Sequence, residues 1–335
     1  MFDDRDEIDR QLLDAYQHDF PLTPAPFARI GGDLGLPSSE VLTRYRRLLR
    51  EGLITRIGVV LAPNSLGAST LAAMTVPSED LEQVAAQVSA DPAVSHNYAR
   101  ESDRSGHPNL WFVVTTGDDA ALDAALTRIE TAAELTVRDL RLLEPFHLDL
   151  GFSLEKREVK ARRRTQGPDL AAIESVDRPL AAAMEDGLPL VDRPFLALSQ
   201  GLGLTEAKVL SRLETLKRAH VVRRLGVIVR HRKLGYRANA MCVWNVAQDA
   251  MASAIGSQLA GEEGVTLCYR RRRVADWPYN LYCMVHARSR EEARPVIARL
   301  DAVVDGAAED RAVLFSTQCF KQTGARLSPA RRAAA

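Results

Sequence analysis

The sequence predicts an α+β chain made by tandem duplication, in which a winged helix-turn-helix precedes a ferredoxin-like βαββαβ module and the whole is written twice. Three observations predict it. First, "ITRIGVVLAPNSLG" (54–67) and "VVRRLGVIVRHRKLG" (221–235) align Arg56 with Arg224 and Gly67 with Gly235, 168 residues apart in both cases. That spacing also sets Phe20-Pro21 on Leu188-Pro189, Phe27 on Phe195 and Leu48 on Leu216; farther on, "YAR…NLW" (98–111) meets "YRR…NLY" (269–282) at 171, so the second copy gains three residues. Second, each copy opens with three segments of helical period. Third, each closes with strands and helices in the split βαβ order.

Taken in order, "DEIDRQLLDAYQHDF" places Ile8, Leu12, Leu13 and Tyr16 at helical spacing. "PFARIGGDLGL" supplies a short helix and a glycine turn, and "PSSEVLTRYRRLLREG" a third helix with Ser38 or Ser39 as cap and Gly52 as stop. "LITRIGVVLAP" follows as an alternating strand and completes the wing as a strand pair; the second copy repeats the order from "VDRPLAAAMEDGLPL" through "TEAKVLSRLETLKRAH" to "VVRRLGVIV". The first βαββαβ reads "TLAAMTV", "EDLEQVAAQVSAD", "AVSHNYARE", "NLWFVVTT", "DAALDAALTRIETAA", "TVRDLRLL". The second reads "ANAMCVWNV", "DAMASAIGSQLAGE", "VTLCYRRR", "YNLYCMVHA", "REEARPVIARLDAV", "RAVLFSTQCF". The expected domains are 1–60 and 61–152 for the first copy and 177–229 and 230–325 for the second, joined by a linker at 153–176. That seam carries "EKREVKARRRTQGPD", a charge run read as solvated linker rather than as a polyanion-binding arm.

The totals exclude several classes. Lys+Arg and Asp+Glu are both 44 and the pI is about 7.1, so no global field draws the chain to nucleic acid or to a membrane surface, and any basic site is local. Cys242, Cys268, Cys283 and Cys319 lack the short paired spacings of zinc or disulfide frameworks and read as reduced thiols. "MFDDRDEIDR" is acidic without an apolar signal core, and no apolar run approaches the roughly 20 residues of a membrane span, so a cytoplasmic chain is expected.

The hairpins carry the candidate chemistry. On the second strand of the first module His96, Tyr98 and Arg100 share one face, matched by Leu267, Tyr269 and Arg271; on the third, Trp111, Val113 and Thr115 correspond to Tyr282, Met284 and His286. A register with Tyr98 opposite Val113 sets His96 opposite Thr115 and Leu267 opposite His286, giving each copy one histidine at one station. A lone strand histidine is more often a packed residue than a catalyst, and strand aromatics are ordinary packing. Yet Arg270 to Arg273 repel one another, which makes sense if a ligand with several carboxylates neutralises them; Arg271 is favoured for the pocket, with Arg270 and Arg272 solvated on the other face.

With these residues the chain resembles the Lrp/AsnC group of transcription regulators over nearly all of both copies. More narrowly, "VSHNYARE…NLWFVV" and "TLCYRRRRVADWPYNLYCMVH" are similar to the siroheme decarboxylases of heme d1 biosynthesis, in the form that fuses two homologous subunits. The resemblance implies removal of two acetate carboxyl groups from siroheme to give 12,18-didecarboxysiroheme. The turn "ESDRSGHPNLW" departs from the family, which has a histidine shortly after Arg-Glu; His107 stands displaced from that place.

Siroheme is a flat apolar macrocycle edged with carboxylates, and a face bearing Tyr98, Trp111, Tyr269, Tyr282 and Met284, rimmed by Arg100 and Arg271, suits both halves of that description. Loss of carbon dioxide from an acetate needs a proton and no redox cofactor, so none is expected beyond the iron that siroheme itself carries. His96 and His286 are the expected catalytic proton donors, with ligation of that iron as the alternative role. His147 reads as structural; His18, His220 and His231 carry no catalytic expectation. The copies should pair within the chain as a pseudo-dimer, with homodimerisation of the fused chain and association with homologous decarboxylase subunits as further partners. The rival readings are a DNA-binding regulator that senses a tetrapyrrole, with Arg44, Arg46 and Arg47 on a recognition helix, and a noncatalytic siroheme-binding partner.

Overall fold

The structure is a computed structural model that describes residues 5–148, 166–324 and 327. The first copy runs α1 (Glu7–Asp14), α2 (Pro26–Leu34), α3 (Ser38–Arg50), β1 (Ile54–Leu61), β2 (Ala68–Met74), α4 (Leu81–Ala90), β3 (Val94–Ser102), β4 (Leu110–Thr116), α5 (Asp119–Ala133) and β5 (Arg138–Leu148). The second runs α6 (Asp177–Ala183), α7 (Pro194–Leu202), α8 (Glu206–Arg218), β6 (Val222–Val229), β7 (Ala238–Val246), α9 (Asp249–Leu259), β8 (Val265–Arg271), β9 (Leu281–Ala287), α10 (Arg290–Val304) and β10 (Ala308–Gln322). Of the expected linker at 153–176, residues 153–165 lie outside the described residues. Contacts sort the chain into two units by kind rather than by copy: the two helical segments, ending at Leu66 and Gly235, form one, and the two sheet modules the other. Among the described residues no helix is long and apolar enough to cross a membrane.

In the helical unit the expected wing is shared. Each copy contributes one strand, and β1 pairs antiparallel with β6 of the other copy, Gly58 opposite Gly226. Each strand also receives the segment that follows the other copy's first helix: Val227 N donates to the Tyr16 carbonyl at 2.8 Å, and Leu188 N to the Ile57 carbonyl at 2.6 Å. A Cβ at Gly226 would stand 1.8 Å from the Gln17 carbonyl oxygen, so this crossing requires glycine. Two strands with no further strand beside them satisfy their backbone groups on each other and on these crossing segments.

The helix ends follow local chemistry with one departure. Pro26 and Pro194 open α2 and α7, and Gly35 (φ +68°) and Gly203 (φ +65°) end them in the left-handed region. Neither Ser38 nor Ser39 caps α3: Pro37 occupies that position with no side-chain bond, whereas its repeat-mate Thr205 caps α8 by accepting from Lys208 N. Gly52 (φ +67°) does stop α3.

The sheet unit is an eight-stranded closed barrel in the order β10-β3-β4-β2-β5-β8-β9-β7. Its closure comes from the fourth strand of each module, which is longer than the sequence pattern shows. The first half of β5 pairs with β2 and the second half with β8 of the other copy, while β10 likewise pairs with β7 and then β3. Pro145 and two register shifts in β5 hide its continuation, because proline within a strand reads as a breaker. Each crossing strand drives a phenylalanine into the other module's helix-backed core: Phe146 sits among Trp244, Ile255 and Leu259 and against Gly256, and Phe320 packs on the core of Phe112, Leu122 and Ile129. With α4, α5, α9 and α10 covering the outside faces, alternate residues are left to face the barrel interior.

Candidate active site

The interior wall is built by alternation. On β3, Asn97 points outward and donates to the Ala85 carbonyl of α4 at 3.0 Å, so His96, Tyr98 and Arg100 face inward; on β9, Cys283 and Val285 join the outer core, so Tyr282, Met284 and His286 face inward. Tyr269 and Arg271 of β8 and Trp111 of β4 share that interior. All nine expected site residues thus occupy the inward register.

The expected pairing within the hairpins is displaced. Tyr98 lies opposite Trp111 rather than Val113, His96 opposite Val113, and Leu267 opposite Met284 rather than His286. The anchoring of Asn109 and Asn280 goes with the shift, and bulges at Ser95 and Thr266 move the pairing by a further residue beyond His96 and Leu267. Asn109 donates to the Val76 carbonyl and accepts from Val76 N, both at 2.8 Å, and Asn280 binds Val246 in the same way at 3.1 and 3.0 Å. The two histidines are therefore not cross-strand equivalents. What they share is a hydroxyl: Ser95 Oγ lies 3.0 Å from His96 Nδ1, and its repeat-mate Thr266 Oγ1 lies 2.8 Å from His286 Nδ1.

Burial divides the nine. Trp111 and Tyr282 are buried in an aromatic floor completed by Trp277 and Tyr279 from the β8–β9 turn. The Trp277 ring centroid is 5.3 Å from Trp111 and 4.5 Å from Tyr279, and its indole N–H donates to Tyr282 Oη at 2.8 Å. Burial pushes the Tyr282 phenol well up, so it stays protonated. His96, Tyr98, Arg271, Met284 and His286 are half-buried. A side chain that faces the inside of a closed barrel and still meets solvent marks an open stretch of that interior.

The arginine run is sorted by partner. Arg270 reaches Glu144 and Asp249 at 3.3 and 3.1 Å, Arg272 reaches Asp139 at 3.0 Å, and Arg273 reaches Asp249 at 3.5 Å. Arg270 and Arg272 are therefore neutralised by the protein's own carboxylates instead of being merely solvated. Arg271 has no carboxylate partner among the described residues: it donates to the Leu140 carbonyl at 2.9 Å and lies over the rings of Tyr269 and Tyr282, centroids 5.2 and 5.9 Å away. Burial lowers its pKa from the usual guanidinium value. Arg100 is buried and held by protein acceptors, donating to the Asn239 side chain at 3.1 Å and to the carbonyls of Asn239 and Leu314.

Around the β3–β4 turn, His107 is 2.8 Å from Ser102 Oγ and meets Trp277 edge-on at 5.0 Å; burial first, then Arg104, lower its pKa. His147 is buried on β5 opposite Cys268. Sequence reasoning missed Trp277, Tyr279, Asn239, Thr266 and Ser95. Aromatics inside a turn, and an asparagine in the apolar run "ANAMCVWNV", were the available signals.

The arginines of α3 are committed elsewhere. Arg44 binds Asp6, Asp9 and Glu40, Arg47 binds Asp9, and Arg46 donates to the Leu190 carbonyl at 2.6 Å.

Comparison with known proteins agrees with this architecture. The AsnC-like ligand binding domain matches residues 65–147 and 233–321, and the siroheme decarboxylase NirDL-like HTH domain matches 9–54 and 177–223. The siroheme decarboxylase NirDL subunit of Paracoccus denitrificans is 46% identical over 96% of this chain and 98% of its own length. The siroheme decarboxylase NirD subunit of Stutzerimonas stutzeri is 44% identical over 44% of this chain and 95% of its own, the length of one copy. The crystal structure of the siroheme decarboxylase NirDL in co-complex with an iron-uroporphyrin III analogue superposes with a TM-score of 0.64 at 26% identity, covering 96% of this chain and 93% of its own.

Proposed function

The chain belongs to the siroheme decarboxylase family, and on that premise we propose that it removes two acetate carboxyl groups from siroheme to give 12,18-didecarboxysiroheme in heme d1 biosynthesis. The observation that carries the reading is Arg271, the member of the arginine run with no ion pair to a carboxylate among the described residues, set half-buried on the interior wall beside the aromatic floor. A guanidinium in that state gains from a ligand carboxylate, because it is already partly desolvated and makes no direct ion pair.

In each turnover an acetate carboxylate departs as carbon dioxide, its bonding electrons remain on the methylene carbon, and one proton converts that carbon to a methyl group. His96 and His286 are the proposed proton donors, since imidazole is poised to give a proton near neutral pH. Arg271 holds a carboxylate that does not react, while Tyr98, Tyr269 and Met284 meet the macrocycle and Trp111 and Tyr282 support them from beneath. Arg100, buried and bound to Asn239, acts through that residue. The iron arrives with the substrate, and either imidazole is a suitable ligand for it. Homodimerisation of the fused chain, or association with homologous subunits, belongs to the same proposal and is read by sedimentation of the purified chain.

The test is anaerobic incubation of the purified chain with siroheme and mass analysis for stepwise loss of one and then two carbon dioxide units. Unchanged siroheme beside a chain that binds it tightly would reassign the protein as a carrier. If either histidine donates the proton, His96→Ala and His286→Ala each lower the rate by about 100-fold. A double variant of normal rate would remove both from the mechanism.

A further inference from the structure

We propose that Asn239, itself oriented by Arg100, is a positioning residue that holds His286 as the neutral tautomer protonated on Nδ1. Donor and acceptor counting carries the inference. Arg100 has only donors to offer, so the Asn239 atom 3.1 Å from its Nη2 must be the amide oxygen. The amide nitrogen then faces His286 Nε2 at 2.7 Å, and because it too only donates, Nε2 must accept. The ring proton is left on Nδ1, 2.8 Å from Thr266 Oγ1, whose own hydrogen goes to the Met284 carbonyl at 3.1 Å. Each link in the series pairs one donor with one acceptor, and reversing the amide would set its N–H groups against the guanidinium.

The series joins the two copies, since Arg100 comes from β3 and the other members from β7, β8 and β9. Its counterpart on the other side of the barrel is reduced: Ser69 stands opposite Thr115 where Asn239 stands opposite His286. In the resting site His286 Nε2 is a hydrogen-bond acceptor, and proton donation from that atom requires the Asn239 amide to turn first. This role in turnover rests on the proposed function; the tautomer does not.

The test is a long-range 1H–15N correlation spectrum of the full chain labelled at its 7 histidines, with His286 assigned by its loss in His286→Gln. The expected wild-type ring carries its proton on Nδ1. Asn239→Asp, which replaces the amide donor with an acceptor, should move the proton to Nε2 or protonate both nitrogens, and Asn239→Ala should give mixed tautomers. A wild-type ring protonated on Nε2, or a tautomer unmoved by either folded variant, overturns the assignment; if the variants fail to fold, the wild-type spectrum decides alone. A spectrum as expected beside a chain that leaves siroheme intact would fault the decarboxylase reading and not the tautomer.

Discussion

Asn109 and Asn280 sit where each module's second hairpin strand returns, and each closes two hydrogen bonds on the peptide of a single valine, Val76 or Val246. The side-chain amide imitates a strand neighbour, so the Asn-Leu-aromatic motif fixes the register that puts Trp111 and Tyr282 inward. A motif first noticed as a resemblance thus has a mechanical cause. Asn280→Ala leaves the Val246 N–H without this partner in a buried place, while the carbonyl keeps Arg273 as a donor, and should cost about 1–3 kcal/mol, read from the denaturant midpoint. An unchanged midpoint would mean that the register is set elsewhere. Arg271 and Arg272 are neighbours with opposite expectations. Arg271→Met should weaken siroheme binding at least tenfold in a spectral titration, because it removes an interior cation, whereas Arg272→Met loses only an exposed pair with Asp139 and should leave binding nearly as it was. Equal effects from both would dissolve the distinction. The sequence favoured Arg271 by alternation, but the carboxylates that neutralise its neighbours come from distant segments and no local pattern reveals them.

At the scale of elements, the first and third helices of each copy are tied by the same buried pair. Arg212 of α8 forms a two-point contact with Asp177 of α6, at 2.9 and 2.7 Å, and Arg44 reaches Asp9 of α1 in the first copy at 3.0 Å. Asp177 and Asp9 are 0% and 2% exposed. Removing Arg212 strands the fully buried Asp177 carboxylate, so Arg212→Ala should destabilise the fold by about 3–5 kcal/mol, while Arg10→Ala, which breaks a surface pair with Glu7, should cost well under about 1 kcal/mol. Paired chemical denaturation curves compare them, and equal midpoints would refute the tie. This pair also gives the basic face of α3 a structural purpose. Helix positions were legible from period and caps; the pairing was not, because the aspartate and arginine lie 35 residues apart in both copies.

Across the sheet unit, the copies are latched where their turns meet. Asp310 accepts from Arg104 of the first copy at 2.7 Å and from Tyr279 Oη at 2.9 Å. The Arg104 bond above all draws the Asp310 pKa down from 3.8 to about 2, and burial, with that hydrogen bond second, pushes Tyr279 up to about 12. A carboxylate depressed by folding contributes stability that is present above its unfolded value and lost as pH falls through its folded one. The advantage of wild type over Asp310→Asn should therefore be full above about pH 4 and fade toward about pH 2, as read by acid unfolding. A difference that persists undiminished at the acid end would exclude the latch. The sequence by itself determined the duplication, the order of elements and the inward set of His96, Tyr98, Arg100, Arg271 and His286, because repeat spacing and strand alternation are local and periodic. Only the tertiary structure decided that β1 finds its partner in β6, that β5 and β10 cross to close one barrel, and that Arg100 reaches His286 through Asn239. Those are pairings between unsatisfied edges far apart in the chain, and which edges meet depends on where the whole fold leaves a hydrogen bond unmade.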